Sequence, residues 1–325
     1  MSKEPGGSAA ARQARPIAPV APQRPPHAYV VTRPVSGSAI PMELAFVLTR
    51  DEIYVPVAIR KPAGGGPFPA ITMGRGDGRG GYQHVETQVA RLAAMQDRMI
   101  ERGYVVVYVN YRNEIPHLYE QTDEAINLPD DISGGDNRTL KSVPTLDSDD
   151  FIAIIDFLKT LPYVDRDAIG AVGVSHSGEI ILKAVAQTDL AAGVVIEGAS
   201  HEFLGVNTGP TAPRIEDEIQ YQDIKVVRSN ADKAKAMERI RRIGTPILHI
   251  GRNQDHLQGI FKLAHEWMLE AGKDSTWASF DHPDHGFPYI YRRPDGAFCP
   301  DPVQQQAFEL FMDYFDRHLK PKRRD

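Results

Sequence analysis

The stretch Gly173-Val174-Ser175-His176-Ser177-Gly178-Glu179 holds two serines around one histidine. A serine becomes a nucleophile where the chain turns sharply from a strand into a helix and exposes its Oγ. That turn is strained, so the residues two before and two after it must be small. Ser175 has Gly173 before it and Ser177 then Gly178 after it, whereas Ser177 has the bulky, charged Glu179 on its far side. Ser175 is therefore the candidate nucleophile. The bland alternative is a pair of serines capping the helix that follows.

A nucleophilic serine needs a base, and the base needs an acid to hold its tautomer. On this kind of scaffold the acid and then the histidine follow the serine in the chain. "PILHIGRNQDHL" puts Asp255 just past one apolar run, and "SFDHPDHGF" puts His285 past the next. His285 is preferred to His282 because Gly286 lets its loop approach closely. "GRNQD" is one residue longer than the usual Gly-x-x-Asp, so Asp255 is expected on a bulge. Glu197, ending "GVVIEG", is the alternative acid. Asp281 and Asp284 read as turn formers.

These residues must be positioned by alternating elements. "AYVV", "MELAFVL" and "IYVPVAIRKP" read as strands of an antiparallel hairpin region. "AITM" is a short strand running into a glycine-rich loop, and a helix over 84–101 follows, with Val85, Val89, Leu92, Met95 and Met99 on one side. "GYVVVYVNYR" is a continuous apolar run, as in a strand buried on both faces of a parallel sheet. Helix and strand signals then alternate to a closing helix, "PVQQQAFELFMDYFDRHL", so the chain reads as a mostly parallel, doubly wound α/β sheet. Reactive groups in such sheets lie beyond the carboxyl ends of the strands, as Ser175, Asp255 and His285 each do.

The chain has 325 residues, enough for one large domain. Residues 1–26 are rich in Pro, Ala, Gly and Arg, lack an apolar signal core and read as a disordered leader; 27–325 reads as one domain with inserts at about 114–147 and 201–243. A net charge of −6 implies no basic face, so nucleic acid is not an expected partner. No run approaches the roughly 20 apolar residues of a membrane span. The single cysteine, Cys299, excludes an intramolecular disulfide and sits in a proline-rich turn without a base beside it. No metal-binding pattern occurs, and no cofactor is expected. Gly76–Gly81, "GDGRGG", also matches a dinucleotide-binding string, but the next strand ends in "VNYRN" without the acidic residue that would meet a ribose.

At these motifs the chain resembles the α/β-hydrolase superfamily, in particular its dienelactone hydrolase and prolyl-oligopeptidase-like branch. "YVDRDAIGAVGVSHSGE" looks like that branch's strand and nucleophile turn, "ERGYVVVYVNYR" like its fourth strand, and "HGF" like its histidine loop. "RDEIYVPVAIRKPAGGGPFPAI" is similar to the opening hairpin of acyl-hydrolase and X-prolyl peptidase relatives, and the resemblance covers about residues 40–320. Ser177 stands where glycine is usual, and Met73-Gly74 where His-Gly is common. The resemblance implies an α/β-hydrolase fold with an N-terminal antiparallel hairpin, and an oxyanion hole from the backbone of His176 and of the Gly74-Arg75-Gly76 loop. It implies a serine hydrolase acting on a small carboxylic ester; a peptidase or a non-catalytic binding protein is the alternative. Within these 325 residues the propeller that usually sorts peptides is not expected. Arg79, Tyr111, Tyr119, Phe203 and Tyr289 are expected near the substrate, and Arg75 and Arg79 would suit a carboxylate-bearing one.

Overall fold

A computed structural model describes residues 27–76, 81–112, 144–206 and 221–320. The leader, Arg79, Tyr119, most of the first expected insert and residues 207–220 lie outside them. The strands are β1 (His27–Arg33), β2 (Met42–Leu48), β3 (Tyr54–Arg60), β4 (Phe68–Gly74), β5 (Val105–Val109), β6 (Val164–Val174), β7 (Ala192–Ile196), β8 (Ile247–Arg252) and β9 (Ser275–Phe280). The helices are α1 (Gly81–Glu101), α2 (Pro144–Leu158), α3 (His176–Val185), α4 (Ile224–Asn230), α5 (Lys233–Arg242), α6 (Gln258–Glu270) and α7 (Pro302–Leu319).

All nine strands form one sheet in the order β1-β2-β3-β5-β4-β6-β7-β8-β9. β1, β2 and β3 pair antiparallel, as expected of the opening hairpins, and β3 joins β5 antiparallel. From β5 to β9 every pairing is parallel. The run Val105–Val109 explains why helices must cover both faces: every residue of β5 is buried. Val105, Val107 and Val109 face a cluster with Phe151, Ile154 and Ile155 of α2, Ile180 and Ile181 of α3, and Phe261 and Trp267 of α6. Val106 and Tyr108 face the other cluster, with Val85, Leu92 and Met99 of α1 and Phe308, Phe311 and Phe315 of α7. Burying one such side chain contributes roughly 1.5–3 kcal/mol, and the two-sided sheet gathers many of them.

The parallel strands share a direction, so their carboxyl ends form one edge. Gly74, Val174, Ile196, Arg252 and Phe280 end β4, β6, β7, β8 and β9.

Candidate active site

Ser175 stands between β6 and α3 at φ 56° and ψ −118°. A side-chain-bearing residue rarely adopts this backbone, which costs about 1–3 kcal/mol unless neighbours enforce it. They do. Ser175 N–H donates to Ile196 O (2.9 Å), and its carbonyl accepts from Gly178 N and Ala199 N, each at 3.0 Å. A Cβ at Gly173 would lie 2.6 Å from the carbonyl carbon and oxygen of Ser177, so the turn closes only on glycine there. Ser175 makes no side-chain capping bond to α3. The second serine is engaged elsewhere. Buried Ser177 donates its Oγ to Arg75 O at 3.0 Å, tying the helix to the loop after β4. Gly76 of that loop passes directly over His176, where a Cβ would come within 2.8 Å of His176 N.

The acid and histidine loops meet beside this turn. Gly286 (φ 78°) packs so tightly that a Cβ would come within 3.0 Å of Val174 Cγ1, one residue before Ser175. His285 Nδ1 lies 2.9 Å from Asp255 Oδ2 and 3.0 Å from Glu197 Oε2. Asp255 and Glu197 are alternatives in the sequence; the structure brings both to the same ring nitrogen. The extra residue of "GRNQD" is taken up at Gln254, whose φ of 60° turns the chain back so that Asp255 faces the histidine. Leu257 N–H donates to Asp255 Oδ1 at 2.7 Å. Arg252 donates through Nε (3.1 Å) and Nη2 (2.8 Å) to Asp255 Oδ2, and through Nη1 to the carbonyl of Pro283 (3.0 Å) in the histidine loop.

Burial opposes ionisation of Asp255, yet the hydrogen bond with His285 and that from Leu257 N hold its carboxyl below the ordinary value. Burial also opposes a charge on His285, but Asp255 and Glu197 together raise its proton affinity above that of a free imidazole. For Glu197 burial prevails and pushes the carboxyl up to about 7, with His285 opposing and Asp255 adding repulsion. With Nδ1–H committed to carboxylates, Nε2 is the ring's free base.

The other candidates fall elsewhere. His282 bonds to Asp301 Oδ2 at 2.9 Å, accepts Asp284 N–H at 3.0 Å and stacks on Phe287, so it anchors the start of α7. Tyr289 is 1 % exposed, and its hydroxyl bonds to Gly74 O and Val172 O, tying it to the ends of β4 and β6. Phe203 is buried in the core, where its N–H caps Glu179. Tyr111 is also buried, edge-on to the His176 ring at 6.2 Å. The guanidinium of Arg75 lies 5.4 Å from the Tyr291 ring centroid and near Gly286.

Two features are not legible in the sequence beforehand. One is Arg252, recognisable afterwards as a cation three residues before the acid. The other is a second His–acid pair: His176 Nε2 bonds to Asp147 Oδ2 at 2.9 Å, and Asp147 is fully buried at the start of α2. Burial lowers the proton affinity of His176, but the Asp147 bond and charge outweigh it and the net shift is upward. Nothing in the spacing links positions 147 and 176. Donor atoms of Asp255, His256 and His285 also lie within 4.8 Å of one another. Both Asp255 oxygens already accept hydrogen bonds, from His285, Arg252 and Leu257 N–H, and His256 Nδ1 lies 3.5 Å from Asp255 Oδ1.

No family model matches the chain. Among curated proteins, 137 residues align at 32 % identity with an uncharacterized protein of Pseudomonas aeruginosa, covering 42 % of this chain and 29 % of that protein. A further 32 % match over 100 residues, to Dipeptidyl-peptidase 5 of Porphyromonas gingivalis, covers 31 % of this chain and 13 % of that one. The matches thus span under a third of either relative. Among solved structures, a putative dienelactone hydrolase from Klebsiella pneumoniae superposes with TM-score 0.56 at 14 % identity, covering 86 % of this chain and all of that one. An esterase from Pyrobaculum calidifontis gives TM-score 0.53 at 15 % identity, over 85 % and 84 %. Dipeptidyl peptidase 4 of P. gingivalis gives 0.55 at 16 %, over 86 % of this chain and 36 % of that one. Sheet order, site edge and these superpositions agree: the chain has the α/β-hydrolase fold.

Proposed function

We propose that the protein is a serine hydrolase that cleaves a small carboxylic ester through an acyl-enzyme. Ser175 Oγ attacks the ester carbonyl while His285 Nε2 takes its proton. Asp255, held by Arg252, keeps the imidazole in the tautomer that makes this possible and balances the imidazolium that forms. The carbonyl oxygen becomes an oxyanion, met by the N–H of His176 and the backbone of Gly74-Arg75-Gly76. Collapse expels the alcohol, which leaves with the proton from His285. Water, deprotonated by the same nitrogen, then releases the acid and restores Ser175. An oxyanion-hole donor is typically worth about 2.7–4 kcal/mol at the transition state.

The observation that carries the reading is His285 Nδ1 at 2.9 Å from a buried carboxylate, in a loop packed against the strained turn of Ser175. The resemblance to an esterase and a putative dienelactone hydrolase supports ester chemistry, and the Dipeptidyl-peptidase 5 match supports the second reading, peptide hydrolysis. Short acyl groups are the expected substrates. The described segment before β8 carries Lys233, Lys235, Glu238, Arg239, Arg241 and Arg242 on α5 and turns its apolar residues inward, so it offers no broad apolar face to a lipid. Arg75, near Gly286 of the histidine loop, would suit an ester bearing a carboxylate.

Kinetics on p-nitrophenyl acetate through palmitate, beside a p-nitroanilide of a matched acyl group, test this. The expected result is fastest turnover at short chains and slower cleavage of the anilide. A maximum at long chains would refute the substrate class, and faster anilide cleavage would favour the peptidase.

A further inference from the structure

We propose that His285 is served by two interchangeable carboxylates, Asp255 and Glu197, either of which alone keeps the imidazole in its catalytic tautomer. This rests on the reading of Ser175 and His285 as nucleophile and base.

Three observations converge on it. Glu197 Oε2 and Asp255 Oδ2 approach the same nitrogen at nearly equal distances, 3.0 and 2.9 Å, from the ends of neighbouring strands β7 and β8. Both side chains are fully buried. Glu197 also holds the histidine loop, because Oε2 accepts the N–H of Gly286, the residue after the base.

The second observation is that Glu197 is badly suited to a merely structural role. Its φ of 47° is left-handed, a conformation that side-chain-bearing residues rarely adopt. Its Oε1 has no hydrogen-bond partner among the described residues, the Arg252 Nε lying 3.8 Å away. A buried polar atom left this way is destabilising, and an apolar residue would avoid it.

The third is charge. Two carboxylates this close do not both ionise freely. The groups facing them are Arg252 at the end of β8, His285 and Gly286 N–H from the histidine loop, and His256 beside Asp255. Arg252 donates twice to Asp255 and only approaches Glu197. The charge therefore resides on Asp255, while Glu197 holds a proton near neutral pH, in line with its raised proton affinity. Removing the Asp255 charge removes the repulsion. Glu197 then ionises, gains Arg252 as its counter-ion and accepts the Nδ1–H of His285.

The experiment is a double-mutant cycle on p-nitrophenyl acetate hydrolysis with Asp255→Asn, Asp255→Ala, Glu197→Gln and the two doubles, Ser175→Ala as the zero and thermal unfolding of each variant as the folding control. In a single-acid triad, loss of the acid lowers kcat by on the order of 10⁴. The expected result is that each Asp255 single variant keeps at least about tenfold more kcat than its double, with KM little changed, because the residual acid acts as a unit with the base. The acid limb of the kcat/KM profile, set by His285, should lie at higher pH in Asp255→Ala than in Asp255→Ala/Glu197→Gln, because the Glu197 carboxylate still raises the proton affinity of the ring. Asp255 singles as inactive as their doubles would overturn the proposal and leave the Ser175–His285 reading intact. If a double does not fold, the Asp255 singles decide: a kcat loss on the order of 10⁴, as in a single-acid triad, overturns the proposal. Full activity in Ser175→Ala would instead remove the reading on which it rests.

Discussion

At the scale of single residues, the site depends on positions where no larger side chain fits. Gly173 lies against the Ser177 carbonyl, and this pair shapes the turn that exposes Ser175. Gly173→Ala should therefore cost about 1–3 kcal/mol of stability, as overpacking does, and should lower kcat more than KM because the nucleophile moves. Chemical denaturation and steady-state kinetics check both, and an unperturbed variant would mean that the turn is looser than described. The base sets the acid limb of the rate profile. His285 must be neutral to accept a proton, and its neighbours raise its proton affinity. The kcat/KM profile should accordingly rise with pH with a midpoint above about 6.5, the ordinary imidazole value. A midpoint below that would contradict the environment given to the ring. Glu197 leaves its own mark on stability. Its folded value of about 7 exceeds its ordinary 4.5, so over that window the native state binds more protons than the unfolded chain. Wild type should lose stability relative to Glu197→Gln as pH climbs from about 4.5 to about 7, and denaturation at both ends of the window measures it.

At the scale of elements, strands and helices were largely legible because their burial patterns are periodic or continuous. The run at 105–109 and the α1 stripe of Val85, Val89, Leu92, Met95 and Met99 both lie where their periods imply. Boundaries were less legible. α2 begins at Pro144, ahead of the apolar residues Phe151, Ile154 and Ile155 that mark it in the sequence, and buried Asp147 reaches His176 from its first turn. Such partners lie far apart in the chain, and no local pattern announces them. The same holds for Arg112, just past β5. It is 1 % exposed and bonds to Asp150 of α2 through its own N–H and side chain, and to Asp51 from the turn between β2 and β3. Arg112→Met should destabilise the fold by about 3–5 kcal/mol, since it leaves fully buried Asp150 without its counter-ion. Unfolding by urea reads this out, and a loss under about 1 kcal/mol would mean that water or another group takes the place of the guanidinium.

At the scale of the whole molecule, the strand ends at one sheet edge gather residues that lie far apart in the chain, from Gly74 to Phe280. The order serine, acid, histidine was visible in the chain, and so was the edge on which each would fall, because both follow from the parallel topology. That two acids would reach one imidazole was not visible: it depends on the left-handed turns at Glu197 and Gln254, which the residue types there do not signal. No helix among the described residues is long and apolar enough to cross a membrane. Everything proposed for the site depends on the covalent step at Ser175. The most direct test is to treat the protein with a fluorophosphonate, measure the intact mass and map the modified peptide. The expected result is one adduct on Ser175 in wild type, the same adduct in Ser177→Ala, and none in Ser175→Ala. An adduct that persists in Ser175→Ala, or maps to Ser177, would contradict the assignment of the nucleophile.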